Sequence, residues 1–303
     1  MNGEIVQVEV DYNPHAMPMF TVVGLPDAAV QESRERVRAA VRNTGLQFPN
    51  KRFTVNLAPA SLRKEGPAYD LPIAIGVLAS TDQVPLEKLV GAVIVGELSL
   101  DGTVRHISGT LPIAHRAWQE GYERIFVPEE DAPQAALVPN IEVIPVHSLG
   151  QLVEHLYELQ LIPPYSRQYL DLSVPEDLDG LTDFADVKGQ EHVKRALEVA
   201  AAGSHNLLMV GPPGVGKTLL ARALPGILPT MTLEEALAVT QIYSVVDKLP
   251  NGHALMRVRP FRAPHHTISE AGLVGGLRSI LFGDKNPFIP FLPSPVSNRQ
   301  RPA

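Results

Sequence analysis

The sequence predicts a mixed α/β protein of two domains, and three observations carry that expectation. Apolar runs of strand period alternate with runs of helical period from residue 4 to residue 162. An Asp101-Gly102 pair between two apolar stretches marks a hairpin, so part of the sheet is antiparallel. A second alternation starts near residue 187, after a break rich in proline and acid.

In order along the chain, residues 4–11 (EIVQVEVD) alternate as a strand, with Ile5 outside strict phase, and MFTVVG reads as a second strand. A helix follows, with Pro26 in its first turn, Val30, Val37 and Val41 at helical spacing, and Gly45 as its stop. FTVNLAP is a strand and LPIAIGVLAS suits a buried helix. AVIVGELSLDGTVRHI reads as two strands around the Asp101-Gly102 turn. A helix ending at Gly121, the strands RIFVP and EVIPV, and a helix from Ser148 complete a first domain over 1–162. Residues 163–186 carry Pro163, Pro164 and Pro175 among Asp171, Glu176, Asp177, Asp179, Asp183 and Asp186, the composition of a solvated acidic linker. The second domain, 187–276, opens with a helix through QEHVKRALEVAAAG, followed by a buried strand of Leu207, Leu208, Met209 and Val210, a glycine-rich turn and a helix containing LLARAL. A tail, 277–303, ends in 17 residues with five prolines and reads as unstructured.

Composition narrows the function. Hydrophobic residues at 45% and charged residues at 19% of the 303 provide for a real core and exclude disorder over the whole length. No apolar run reaches the roughly 18 residues that span a bilayer, and MNGEIVQVEV lacks a basic-then-apolar leader. The expectation is a cytoplasmic protein without a membrane partner. The absence of cysteine excludes a disulfide scaffold, thiol catalysis and Cys-held zinc or iron–sulfur. A net charge of −7 excludes a generic polyanion binder, so any nucleic-acid contact must be local or built by assembly.

One motif carries chemistry. Gly211-Pro212-Pro213-Gly214-Val215-Gly216-Lys217-Thr218 fits G-x-x-x-x-G-K-[ST] in full. Glycines let the backbone turn and aim successive N–H groups inward, and the following helix adds the positive end of its dipole. Lys217 is expected on the β- and γ-phosphates of ATP, and the Thr218 hydroxyl on Mg²⁺.

At this point the sequence resembles a known family. GQEHVKRALEVAAAGSHNLLMVGPPGVGKTLLARALPGILP followed by FRAPHHTISEAGLVGG is similar to magnesium-chelatase-related AAA+ ATPases of the YifB/ComM type. FTVVGLPDAAVQESRERVRAAVRNTG, VNLAPASLRKEGPAYDLPIAIGVLA and VGELSLDGTVRHISGTLPIA resemble the same family's first domain. The resemblance runs from residue 4 to about 276. It implies a ribosomal-S5-like, Lon-protease-like first domain of ChlI type, the N-terminal part of an AAA+ domain over 187–276, and a bacterial, cytoplasmic ring ATPase. ComM-like members are hexameric helicases that drive branch migration when transformed DNA is integrated, so a homo-oligomer and DNA are the partners implied.

The Lon-like resemblance does not extend to peptidase chemistry. The turn that would hold the nucleophile is Gly66-Pro67-Ala68-Tyr69-Asp70, with alanine in place of serine, and Leu111 stands where the lysine base would be. Ser61 and Lys64 lie nearby, three residues apart on a turn read as ordinary basic surface. Arg34, Arg36, Arg38 and Arg42, interleaved with Glu32 and Glu35, read as a salt-bridged exposed helix face. His265 and His266 would point opposite ways on an extended segment, which disfavours a shared metal. Arg257, Arg259 and Arg262 around Phe261 fit either a single-strand stacking surface or plain solvation.

Hydrolysis needs more than the loop. An acidic strand end must hold Mg²⁺ and polarise water. Here the expected position leads to LRSILFGDKNPFIPFLP, where Gly283 interrupts the apolar run, Lys285 follows Asp284 and Pro287 ends any strand. Residues Ile280–Asp284 are the best candidate and a poor one. The chain is therefore read as a truncated or frameshifted product with a foreign tail, starting after an additional strand the family usually carries. Three readings stand: a DNA motor of ComM type, a nucleotide-binding module without hydrolysis, and a chelatase-type motor subunit.

Overall fold

The structure is a computed structural model that describes residues 4–166, 182–249 and 254–264. The chain divides into two compact units, Met1–Tyr169 and Leu170–Ala303.

In the first unit, β1 (Gln7–Asn13), β2 (Met19–Val23) and β3 (Arg52–Ala58) form a sheet of order β1-β3-β2, with β1 antiparallel and β2 parallel to β3. The period-2 pattern of RFTVNLA sends Phe53, Val55 and Leu57 to one fully buried face. Two helices are built on that side. In α1 (Ala28–Asn43), Val30, Val37, Ala40 and Val41 are all buried, and Gly45 at φ +79° ends the helix as expected. Pro26 lies outside it, because Asp27 is the cap and its Oδ1 accepts from the Val30 N–H at 2.8 Å. The apolar run of α2 (Asp70–Ser80) buries Leu71, Ile73, Ala74, Ile75, Val77 and Leu78, the all-round burial expected of LPIAIGVLAS.

The stretch read as one strand before the Asp101-Gly102 turn is two. β4 (Ala92–Ile94) joins β7 (Arg124–Pro128) and β8 (Glu142–Val146) in a parallel sheet of order β4-β7-β8. β5 (Glu97–Leu98) pairs with β6 (Val104–Arg105) in the hairpin. The break falls at Val95 and Gly96, whose N–H groups go to Phe126 O and to Ala68 O instead of along one ladder. A β-carbon on Gly96 would come within 2.8 Å of a Val104 methyl and 3.2 Å of one on Leu71, so glycine suits the close approach there. Helices α3 (Thr110–Gln119), α4 (Ala132–Ala135) and α5 (Leu149–Leu156) complete the unit, α5 capped by Ser148. The first strand begins at Gln7, three residues later than its alternation suggests.

The second unit is helical among the described residues: α6 (Glu191–Gly203), α7 (Lys217–Ile227) and α8 (Leu233–Val245). Its small core is Val187, Leu197, Leu220 and Ala223, with Phe184, Val193 and Met209 against it. The expected buried strand at 207–210 is not formed. Leu208 and Val210 are 87% and 86% exposed, and only Met209 turns toward the core. A buried parallel strand requires neighbours to take its hydrogen bonds and cover both faces, and none of the described residues of this unit form one. Helix α8 was not anticipated, although Thr232 and Glu235 form a capping box that the T-x-x-E pattern announces.

Candidate phosphate-binding site

The glycine-rich turn leads directly into α7, whose first residue is Lys217. Gly214 and Gly216 sit at φ +83° and +88°, the left-handed region in which a side chain would be strained. A β-carbon at either position would meet nothing within 4 Å, so the loop is open on that side. Gly216 caps α7 without a side-chain acceptor, which leaves the first N–H groups of the helix unsatisfied by side chains and directed outward. Gly211, Pro212, Pro213, Gly214 and Val215 are exposed, as is Thr218 at the second position of the helix. Lys217 folds back on its own turn and donates to Gly211 O at 2.8 Å and Pro212 O at 2.7 Å. Open glycine backbone, a helix N-terminus, one ammonium and one hydroxyl make a donor set suited to a magnesium–triphosphate. Leu220 and Ala223 anchor α7 one turn beyond the loop through the small core.

Several side chains weighed for function turn out to be structural. Lys64 is fully buried, which corrects its reading as surface. Its ammonium donates to Pro59 O, while its backbone bridges to Leu25 and Asp27. Burial pushes that ammonium below the ordinary lysine range. Lys64 therefore serves the loop's shape and is not placed on the exposed Ser61. Arg36 is likewise no ordinary surface charge. It clamps the buried Asp70 through Nε at 2.6 Å and Nη2 at 3.0 Å, and Leu98 N–H adds a third donor at 3.2 Å. Burial pushes the Asp70 carboxyl up, against the pull of Arg36. Two of the three arginines around Phe261 also have partners within the chain. Arg259 binds Pro229 O and Glu235, and Arg262 donates to the Tyr243 hydroxyl and lies over its ring at 5.2 Å. His265, His266 and Ile280–Asp284 fall outside the described residues.

A groove of about 960 Å³ runs between β1, α2 and β4, lined by Val8, Val10, Ile75, Ala79 and Ile94. Among the described residues that line it Glu4 is the only carboxylate, so it offers packing surface and little chemistry. Among the described residues, no cluster of three or more His, Asp or Glu has metal-holding geometry, and no helix is long and apolar enough to cross a membrane.

Comparison with known proteins places this architecture. The family model for subunit ChlI of Mg-chelatase matches residues 8–131, and that for magnesium chelatase, subunit ChlI, matches 183–285. The second match runs past Gly276, where the resemblance was expected to end, and takes in Ile280–Asp284. A weaker likeness, 25% identical over 145 residues, covering 48% of this chain and 25% of the other, links it to Lon protease 2 of Bacillus subtilis. The chain is a magnesium-chelatase-related protein that joins a Lon-like α/β domain to a P-loop region.

Within that class it belongs to the YifB/ComM family. It is 42% identical over 276 residues to competence protein ComM of Haemophilus influenzae and 40% over 281 residues to the uncharacterized protein YifB of Escherichia coli. An uncharacterized protein of Mycobacterium tuberculosis is 45% identical over 276 residues. Each alignment covers 91% of this chain, against 54%, 53% and 54% of ComM, YifB and the mycobacterial protein in turn. The chain spans about half the length of the curated relatives it matches.

Proposed function

We propose that the second unit binds ATP with Mg²⁺ through Gly211, Pro212, Pro213, Gly214, Val215, Gly216, Lys217 and Thr218. In this reading the chain is part of a cytoplasmic, homohexameric motor that moves branched DNA, as its ComM-type family implies. The carrying observation is the pair of left-handed glycines, Gly214 and Gly216, set directly before an uncapped α7 in an exposed turn. Backbone N–H groups from Gly214 onward would take the β-phosphate. Lys217 would reach the β- and γ-phosphates, and the Thr218 hydroxyl would hold Mg²⁺. The metal, when bound, offsets charge on the phosphates.

A second reading, a module that holds nucleotide without hydrolysing it, has its own support. No acidic strand end stands beside the loop among the described residues, and in the segment that should form the central strand Leu208 and Val210 are exposed. Titration with a fluorescent ATP analogue, beside phosphate release with and without branched DNA, separates the two. Binding with DNA-stimulated release supports the motor, whereas binding with release no faster than that of Lys217→Ala supports the module. No binding at all would refute both.

A further inference from the structure

We propose that the groove between β1, α2 and β4 receives an extended peptide strand of a partner protein, which bridges the two sheets of the first unit. The backbone of its two walls carries this. β1 and β4 are both edge strands, in the orders β1-β3-β2 and β4-β7-β8. Along a strand, the N–H and C=O of one residue point to one side and those of the next residue to the other. Val95 N–H donates to Phe126 O and Gly91 O accepts from Glu123 N–H, so the odd-numbered residues of β4 serve β7. Ala92 and Ile94 therefore turn their N–H and C=O to the free edge. In the other sheet Met19 N–H donates to Lys51 O, so odd-numbered residues of β3 serve β2 and even-numbered ones serve β1. Their register partners on β1 are Gln7, Glu9, Asp11 and Asn13. Val8 and Val10 are thus left with N–H and C=O directed outward, as Ala92 and Ile94 are. All four residues line the groove, and no described residue bonds to those backbone groups.

Two rows of unmet donors and acceptors on one groove define its occupant. An extended backbone bonds both rows at once through alternate residues, which a helix, with its own groups internally paired, does not. A strand fills about 160 Å³ per residue, from a rise of about 3.3 Å, a strand spacing of about 4.8 Å and a sheet spacing of about 10 Å. The groove, at about 960 Å³, thus holds about six residues. Its lining sets their chemistry. Ile75 and Ala79 of α2 offer an apolar face, and Leu86 and Leu89 extend it. Val90, next to β4, is 82% exposed and awaits cover. Among the described lining residues Glu4 is the only carboxylate and none is a cation. The partner segment is accordingly aliphatic at alternate positions, free of acidic residues, and basic where it meets Glu4. Bound there, it joins two three-stranded sheets into one of seven strands. The inference stands on the first unit alone and is independent of the nucleotide reading.

The test uses the 303-residue chain and a fluorescent peptide with six alternating valines and threonines between terminal lysines. Anisotropy should show saturable binding. Methylating the backbone nitrogens of the valines, or instead those of the threonines, should in each case weaken binding about tenfold or more, because one set donates to β1 and the other to β4. Glutamates in place of the lysines should weaken it as well. Ala92→Pro removes a groove-directed N–H that the β7 ladder does not use, and should lower affinity with little change in unfolding midpoint. The peptide arms decide the matter even if that variant does not fold. Absence of binding would overturn the proposal. So would sensitivity to only one methylated set, which means pairing to a single edge, or to neither, which means apolar adsorption. Equal affinity for the lysine and glutamate peptides would overturn the assigned charge. A chain that sediments as a dimer and is dissociated by the peptide would give the groove to a second copy and overturn the partner strand.

Discussion

Arg36 and Asp70 illustrate how far a single pair can depart from its sequence context. Asp70 is fully buried at the start of α2, and the Arg36 guanidinium meets it side-on with two hydrogen bonds. Replacing Arg36 by Met removes the partner and leaves a buried carboxylate, a change worth about 3 kcal/mol in systems of this kind. Urea unfolding at neutral pH should show that loss. Burial holds the Asp70 carboxyl above its ordinary value, so the folded protein binds that proton more tightly than the unfolded chain does. The stability this confers is fully present below the ordinary carboxylate range and is lost as pH rises through the raised value. The deficit of Arg36→Met should accordingly narrow in acid, where a protonated Asp70 no longer needs a cation. A pH-independent deficit would mean that the loss is one of packing. At the candidate site, Lys217→Ala deletes the ammonium that hydrogen-bonds to the loop. Charge-assisted hydrogen bonds contribute roughly 1.5–3 kcal/mol, so ATP affinity should fall about tenfold or more in a fluorescence titration. An unchanged dissociation constant would contradict the assignment.

Helix α1 and the segment before α7 behave in opposite ways at the scale of elements. Asp27 caps α1 through Oδ1 and, through Oδ2, accepts from Gly66 N–H at 3.1 Å, so one carboxylate fixes a helix start and the loop leading to α2. Asp27→Ala should cost about 2 kcal/mol in thermal or urea unfolding, the upper end for a lost cap, because two acceptors vanish together. Asp27→Asn, which keeps an acceptor oxygen, should recover part of it. Residues 207–210 have the composition of a buried strand but not its surroundings. Leu208→Lys should leave the unfolding midpoint almost unchanged and reduce binding of a hydrophobic dye, because a side chain 87% exposed loses no burial. Leu220→Ala, in the core of the same unit, should cost about 2–5 kcal/mol. A large loss from Leu208→Lys would show that the segment is covered in solution.

For the whole molecule, the likeness to Lon raises the question of peptidase activity, and the sequence reading gives a negative expectation. Ala68 stands at the nucleophile position, Leu111 is buried at the start of α3 where a base would be needed, and Lys64 is bound to Pro59 O. The chain should leave unfolded casein intact on a gel with or without ATP, and cleavage that vanished in Lys64→Ala would reverse that view. The alternation of strand and helix, the Asp101-Gly102 hairpin and the glycine–lysine turn were all legible in the sequence. Each is a local pattern: side-chain period, turn chemistry, or a fixed spacing of glycines and one lysine. Tertiary structure alone decided the rest. It split AVIVGEL between two sheets, because Val95 and Gly96 find carbonyls on different elements. It buried Lys64 and Arg36's partner Asp70, whose acceptors and donors come from other parts of the chain. It left Leu208 and Val210 in solvent, since an apolar run becomes a strand only where another strand takes its hydrogen bonds. Local sequence thus determined which elements could form, while pairing between distant residues determined which of them were completed and which charges were enclosed.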